Sequence, residues 1–168
     1  MLDYTGIPME AEQKTIIGRA ERAILPDHGE QQIPVKVDTG ADLSSIWASE
    51  IREKDGCLEF VLFDKDSSFY TGHVIRLEAS EYRLTRIASS FGDRQLRYVV
   101  KMRIKVVGRT IKATFTLADR SQKLYPVLIG RRMLKNKFLV DVSKGEPLLA
   151  EEKAKLEDLH IALSTDEN

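Results

Sequence analysis

From Leu96 to Val107 apolar and polar side chains alternate: Leu96, Tyr98, Val100, Met102, Ile104 and Val106 against Arg97, Val99, Lys101, Arg103, Lys105 and Val107. A period of two held over so long a stretch suits a strand with one buried face, whereas apolar positions on an amphipathic helix recur at three and four. Gly108-Arg109 predicts a two-residue hairpin loop with glycine at its first central position, and Ile111, Ala113, Phe115 and Leu117 carry the alternation back. Residues 15–17, 20–25, 33–37, 43–48, 58–63, 73–78 and 82–88 repeat the β signature between turn-forming residues. Helix is expected only over 131–135 and in the tail, where Ala154, Leu156, Leu159, Ile161 and Leu163 have roughly helical spacing among charges. The expected architecture is mostly β with one or two short helices: an N-terminal arm over 1–14, a domain over 15–149 and an acidic, helical tail over 150–168.

At 168 residues, 42% of them hydrophobic, the chain can bury a single-domain core. No apolar run approaches the roughly 20 residues that cross a bilayer. The N-terminus lacks the basic start and apolar core of a secretory signal, and Cys57 is the one cysteine, so a cytoplasmic location without a membrane partner is expected. Lysine and arginine number 26, as do aspartate and glutamate, which removes overall charge as a reason to bind nucleic acid. The charges are nonetheless segregated. Residues 83–112 hold nine basic side chains against Asp93, and residues 146–168 hold seven acids against Lys153 and Lys155. No aromatic series interleaves the basic run, as a single-stranded nucleic-acid platform would require.

Most common chemistries lack their residues. The three histidines, 28, 73 and 160, form no His-Glu-x-x-His, one cysteine makes no thiolate cluster, and no glycine-rich nucleotide loop occurs, so neither metal nor cofactor is expected. What remains is Val37-Asp38-Thr39-Gly40-Ala41-Asp42, between two strands. Taken alone it also reads as a plain turn, since aspartate bonds its own backbone and glycine relaxes the chain. About 90 residues later, Pro126-Val127-Leu128-Ile129-Gly130-Arg131-Arg132-Met133-Leu134 forms an apolar strand entering a short helix.

Together the two segments resemble the retropepsin family of aspartic peptidases, which pairs a hydrophobic-Asp-Thr-Gly-Ala-Asp loop with a late apolar-apolar-Gly-Arg-x-x-Leu segment. Over residues 16–142 the chain is similar to a bacterial retropepsin-like family historically labelled ATP-dependent zinc protease and discussed beside an ATP-grasp ligase that adds glutamates to a ribosomal protein. The segments that carry this are Val35–Ala41, Arg86-Ile87-Ala88-Ser89-Ser90-Phe91-Gly92, Thr116–Ser121, and Leu128–Arg131 followed by Phe138-Leu139-Val140-Asp141. The residues of the chain support neither the zinc nor the ATP of that label.

The resemblance implies a closed, retropepsin-like β-barrel with a short C-terminal helix. It implies a homodimer in which Asp38 of each chain, with Thr39 and Gly40, forms the catalytic dyad, supported by Ala41, Asp42, Gly130 and Arg131. It also implies a flap, at Asp66–Gly72 or, preferably, at Ser89–Arg94 with Ser89, Ser90 and Gly92 at its tip. Arg86, Arg97 and Arg103 become candidates for holding a peptide or protein substrate, an acidic one if the glutamate-tailed protein is the target. The alternative is a non-catalytic peptide-binding or accessory module that regulates the ligase. Two finer expectations follow. Asp42 and Arg131 should form a partly buried bidentate pair costing about 3 kcal/mol to break. The acidic tail could lie over the basic hairpin as a mimic of substrate.

Overall fold

The computed structural model describes residues 13–88 and 94–165. In chain order the strands are β1 (Thr15–Ile17), β2 (Ala20–Ile24), β3 (Ile33–Val37), β4 (Ser44–Lys54), β5 (Cys57–Leu62), β6 (Val74–Leu77), β7 (Tyr82–Ala88), β8 (Arg94–Val106), β9 (Arg109–Ala118), β10 (Val127–Ile129) and β11 (Phe138–Val140). Two helices accompany them, α1 (Arg131–Leu134) and α2 (Leu149–Thr165). The flap-tip candidates Ser89, Ser90 and Gly92, and most of the N-terminal arm, fall outside the described residues.

Pairing runs β10-β3-β2-β8-β9-β4, and β4 also pairs with β10, so six strands close into a barrel. The expected mostly β, closed barrel is therefore what forms. Its interior is filled by the apolar faces that alternate in the sequence: Val100, Ile104 and Val106 from β8, Phe115 from β9, Val35 from β3, Ile46 from β4, and Val127 and Ile129 from β10, each almost wholly buried. β5 and β6 extend the sheet beyond β4, and β7 folds back on β8 as a long hairpin arm. β1 and β11 form a small parallel pair of their own.

Two expectations about local structure are corrected. The first concerns the β8–β9 hairpin, whose register pairs Val106 with Arg109, so that the loop is Val107-Gly108 rather than Gly108-Arg109. Both residues have positive φ, 47° and 75°, the type I′ arrangement that matches the right-handed strand twist. A β-branched residue there is strained, because its Cβ crowds the neighbouring carbonyl. The second is the tail: the helix starts at Leu149, and Glu152 and Lys155 anchor it on Arg19, Tyr125 and Gln122 rather than on the basic side chains of the hairpin, as described below.

Val107 is 37% exposed, so its replacement sacrifices little core. Val107→Asn is expected to raise stability by about 1 kcal/mol by placing an αL-tolerant residue in the turn. A denaturant midpoint that does not rise would contradict the strain assigned to Val107.

A candidate active-site cleft around Asp38

β10 runs parallel to β3 and antiparallel to β4, filling the gap between the two strands that flank residues 38–43. The loop is bound to it along its length. Asp38 N–H donates to Ile129 O at 2.9 Å, Arg131 N–H to Ala41 O at 2.8 Å and Arg132 N–H to Asp42 O at 3.1 Å. Gly130 makes the approach possible, because a Cβ at that position would sit 2.5 Å from the Leu43 carbonyl. Its own N–H donates to the buried Ser44 hydroxyl at 3.1 Å.

Within the loop, Asp38 Oδ1 accepts from Gly40 N–H at 3.0 Å and Ala41 N–H at 3.1 Å. The aspartate thus makes the turn it was expected to make, and Oδ2 has no protein donor among the described residues. Gly40 is not needed for positive φ, since it lies outside that region. It is needed for closeness: a Cβ there would stand 3.3 Å from Asp38 Oδ1. Thr39 is exposed at the loop surface, beside Asp38.

The expected Asp42–Arg131 fork does not form. Arg131 Nη2 stands 3.8 Å from Asp42 Oδ1, while Arg132 Nη2 makes the close contact with Oδ2 at 2.8 Å. Arg131 instead reaches Gly40 O at 3.3 Å. All three side chains are at least half exposed, so solvent screens the pair and the expected cost of about 3 kcal/mol does not apply. Backbone hydrogen bonds, rather than that ion pair, tie the loop to α1.

Two cavities meet at this loop. One, of about 500 Å³, lies between residues 40–43 and the arms of the β7–β8 hairpin, and among the described residues five arginines line it: Arg83, Arg86, Arg97, Arg120 and Arg132. Among the described residues the single acid on its wall is Asp42, already engaged by Arg132. Arg120 is half-buried, its Nε donating to Tyr125 O at 3.0 Å. Burial, then repulsion from Arg97, lower its pKa, with attraction to Asp38 opposing them; burial likewise lowers that of Arg97. Of the three arginines singled out in the sequence, Arg86 and Arg97 reach this cavity. Arg103 lies elsewhere, paired with Asp27. The other flap candidate, Asp66–Gly72, borders neither cavity; Phe69 of that loop packs on Phe63, ring centroids 5.6 Å apart.

The second cavity, about 880 Å³, has Asp38 and Thr39 in its wall and α2 across it. Glu152 of α2 receives a fork from Arg19, Nη1 to Oε1 at 3.1 Å and Nη2 to Oε2 at 2.9 Å, and the Tyr125 hydroxyl donates to Oε1 at 2.8 Å. The Arg19 hydrogen bond is the main reason Glu152 stays below the usual carboxylate range; Tyr125 and the charges of Arg19 and Lys36 add to it against the cost of burial. Lys155 Nζ donates to Gln122 O at 2.9 Å. The tail is therefore anchored beside Asp38. Sequence reasoning missed Arg19, Arg120, Tyr125 and Glu152. Arg120 lay within a segment already quoted for the family likeness, but nothing in spacing links Arg19 to a residue 133 positions away.

A family model described as retropepsin-like aspartic endopeptidase RimB matches residues 16–147. Two curated relatives, each named "Probable alpha-L-glutamate ligase", come from Shewanella halifaxensis and Shewanella pealeana. They are 32% and 34% identical over 89% and 80% of this chain. The matched stretch is 33% and 30% of those proteins, so the chain spans about a third of their length. Among solved structures, Lpg0085 of Legionella pneumophila, a protein of unknown function, superposes with a TM-score of 0.61 at 27% identity. That match covers 79% of this chain and 97% of the other.

Gly130→Ala is expected to cost about 3 kcal/mol, because its methyl meets rigid backbone, whereas Asp42→Ala should cost less than about 1 kcal/mol. Thermal unfolding of both variants checks the contrast; equal losses would return the ion pair to the role that the backbone bonds hold here.

Proposed function

Since this chain belongs to the RimB-like family of retropepsin-like aspartic endopeptidases, we propose that it hydrolyses peptide bonds through Asp38 acting with Asp38 of a second copy. The observation that carries this is the Asp38 carboxylate itself: one oxygen fixed by two loop amides, the other without a protein donor among the described residues, in the wall of an open cleft. The chain contributes one Asp-Thr-Gly loop, so a homodimer supplies the pair.

Two carboxylates about 3 Å apart do not both ionise cheaply and so share a proton. The ionised partner removes a proton from a water held between them, while the protonated one donates to the scissile carbonyl as oxyanion charge develops. The dyad titrates as a unit. Thr39 holds the facing loops in register, and the Gly40 and Ala41 amides fix the orientation of each carboxylate. The β7–β8 hairpin, whose arms border the Asp38 loop, covers the bound peptide as a flap.

The substrate is a peptide or protein segment rich in aspartate or glutamate. Arg83, Arg86, Arg97 and Arg120 converge on the adjoining cavity without a carboxylate within ion-pair distance among the described residues, and such a set favours anions. No metal or cofactor takes part.

A second reading is favoured by one finding: related segments occur within longer proteins named as glutamate ligases. In that case the chain is an accessory module that holds an acidic peptide for a glutamate ligase without cutting it.

Asp38→Asn keeps the shape of the side chain and much of its turn-forming capacity, so it is expected to abolish cleavage of acidic peptides while leaving the melting temperature within a few degrees. Chelators are expected to change nothing. Cleavage that survives the substitution contradicts the aspartyl mechanism; cleavage that requires added zinc replaces it with metal chemistry.

A further inference from the structure

α2 crosses the Asp38 cleft and places one carboxylate in it, Glu152, with three donors from two side chains. A bidentate guanidinium fork is the geometry that recognises a carboxylate wherever it comes from. The receiving groups belong to the barrel. Arg19 lies between β1 and β2, Lys36 is in β3 two residues before Asp38, and Tyr125, 4% exposed, precedes β10. The Tyr125 hydroxyl is fixed from behind by accepting the Leu148 N–H at 2.9 Å, and Lys36 Nζ sits 5.8 Å from the Tyr125 ring. The same cavity wall includes Asp38 and Thr39.

We propose that Arg19, Lys36 and Tyr125 form a carboxylate-binding subsite of the Asp38 cleft, and that Glu152 occupies it as a tethered competitor of acidic peptides. The proposal rests on the acidic-peptide reading above and adds to it where one substrate carboxylate sits and what holds that position in the free chain. The remainder of the helix suits such a reversible occupant. Leu156 and Leu159 line the cavity yet stay 57% and 54% exposed, so the helix spans the space without filling it. About 880 Å³ remains, within the range that accommodates a ligand. A side chain tethered next to its site acts at an effective concentration in the millimolar range, enough to compete with a free peptide of moderate affinity.

The test measures binding in the full-length Asp38→Asn chain, so that its result does not depend on cleavage. The probes are fluorescein-labelled hexaglutamate and hexaglutamine, followed by anisotropy at fixed low salt. Adding Glu152→Gln is expected to tighten hexaglutamate binding at least tenfold and to leave hexaglutamine unchanged. Placing Arg19→Gln on top of Glu152→Gln is expected to reverse that gain. Lys155→Ala releases a second side-chain anchor of the helix while keeping Glu152, and is expected to change binding less than threefold. Thermal melts of every variant confirm that the barrel is retained.

Unchanged or weaker binding in Glu152→Gln overturns the proposal. So does a gain that survives Arg19→Gln, a gain of equal size in Lys155→Ala, or equal binding of the two peptides. An oligonucleotide that gains affinity in the same proportion would assign the cleft to a different anion and also overturn it. Binding that behaves as expected alongside a wild-type chain that cuts nothing leaves the subsite standing and removes only the peptidase chemistry.

Discussion

The insertion of β10 between β3 and β4 is the constraint on which the rest of the molecule depends. A three-residue strand with its two outer residues buried closes the barrel and at the same time supplies the carbonyl that receives the Asp38 N–H. Because β10 pairs parallel with β3, the Asp-Thr-Gly loop and the start of α1 emerge at the same end of the barrel. The absence of a side chain on Gly130 then lets the Leu43 backbone pass within contact distance. Core packing, loop geometry and the placing of the Asp38 carboxylate are thus consequences of one strand register.

A second theme is charge that the chain leaves unbalanced. Arg97 and Arg120 are partly desolvated side by side at the edge of the cleft, an arrangement that costs free energy in the empty protein and is relieved by any anion that enters. On the opposite side of Asp38 the chain relieves a comparable cation itself, with Glu152 on Arg19. The overall charge of zero conceals this: the arginines of the hairpin and the acids of the tail cancel in the sum but meet different partners in space. A cleft cationic on both sides of an aspartate suits the acidic peptide proposed as its ligand.

Much of the fold could be read from the sequence because its information is local. The two-residue period of β8 and β9, the turn-forming residues between strands and the apolar run before Gly130 each encode their own element. Most strands found differ from those expected at their ends, above all β4, which runs on to Lys54, while β11 was not expected as a strand. Errors arose where one residue of register decides the outcome. Gly108-Arg109 reads as the hairpin loop, and only the cross-strand pairing shows that the turn lies one residue earlier, on a strained valine. Arg131 and Arg132 are adjacent in sequence but point about 100° apart on a helix; both reach Asp42, and it is the second, at 2.8 Å against 3.8 Å, that makes the close contact. The site was legible at Asp38 and Gly130, where backbone chemistry demands particular residues. It was illegible at Arg19, Tyr125 and Glu152, whose association depends on where the barrel brings distant segments together.

The central claim is that one Asp38 is half of a catalytic pair. A crystal structure of the chain with an acidic peptide bound, its oligomeric state matched in solution by sedimentation, tests this directly. The account predicts a two-fold dimer with the Asp38 carboxylates of the two protomers about 3 Å apart, close enough to share a proton. A chain that binds and cuts the peptide as a monomer, or a dimer that holds the two carboxylates on separate faces, would contradict it.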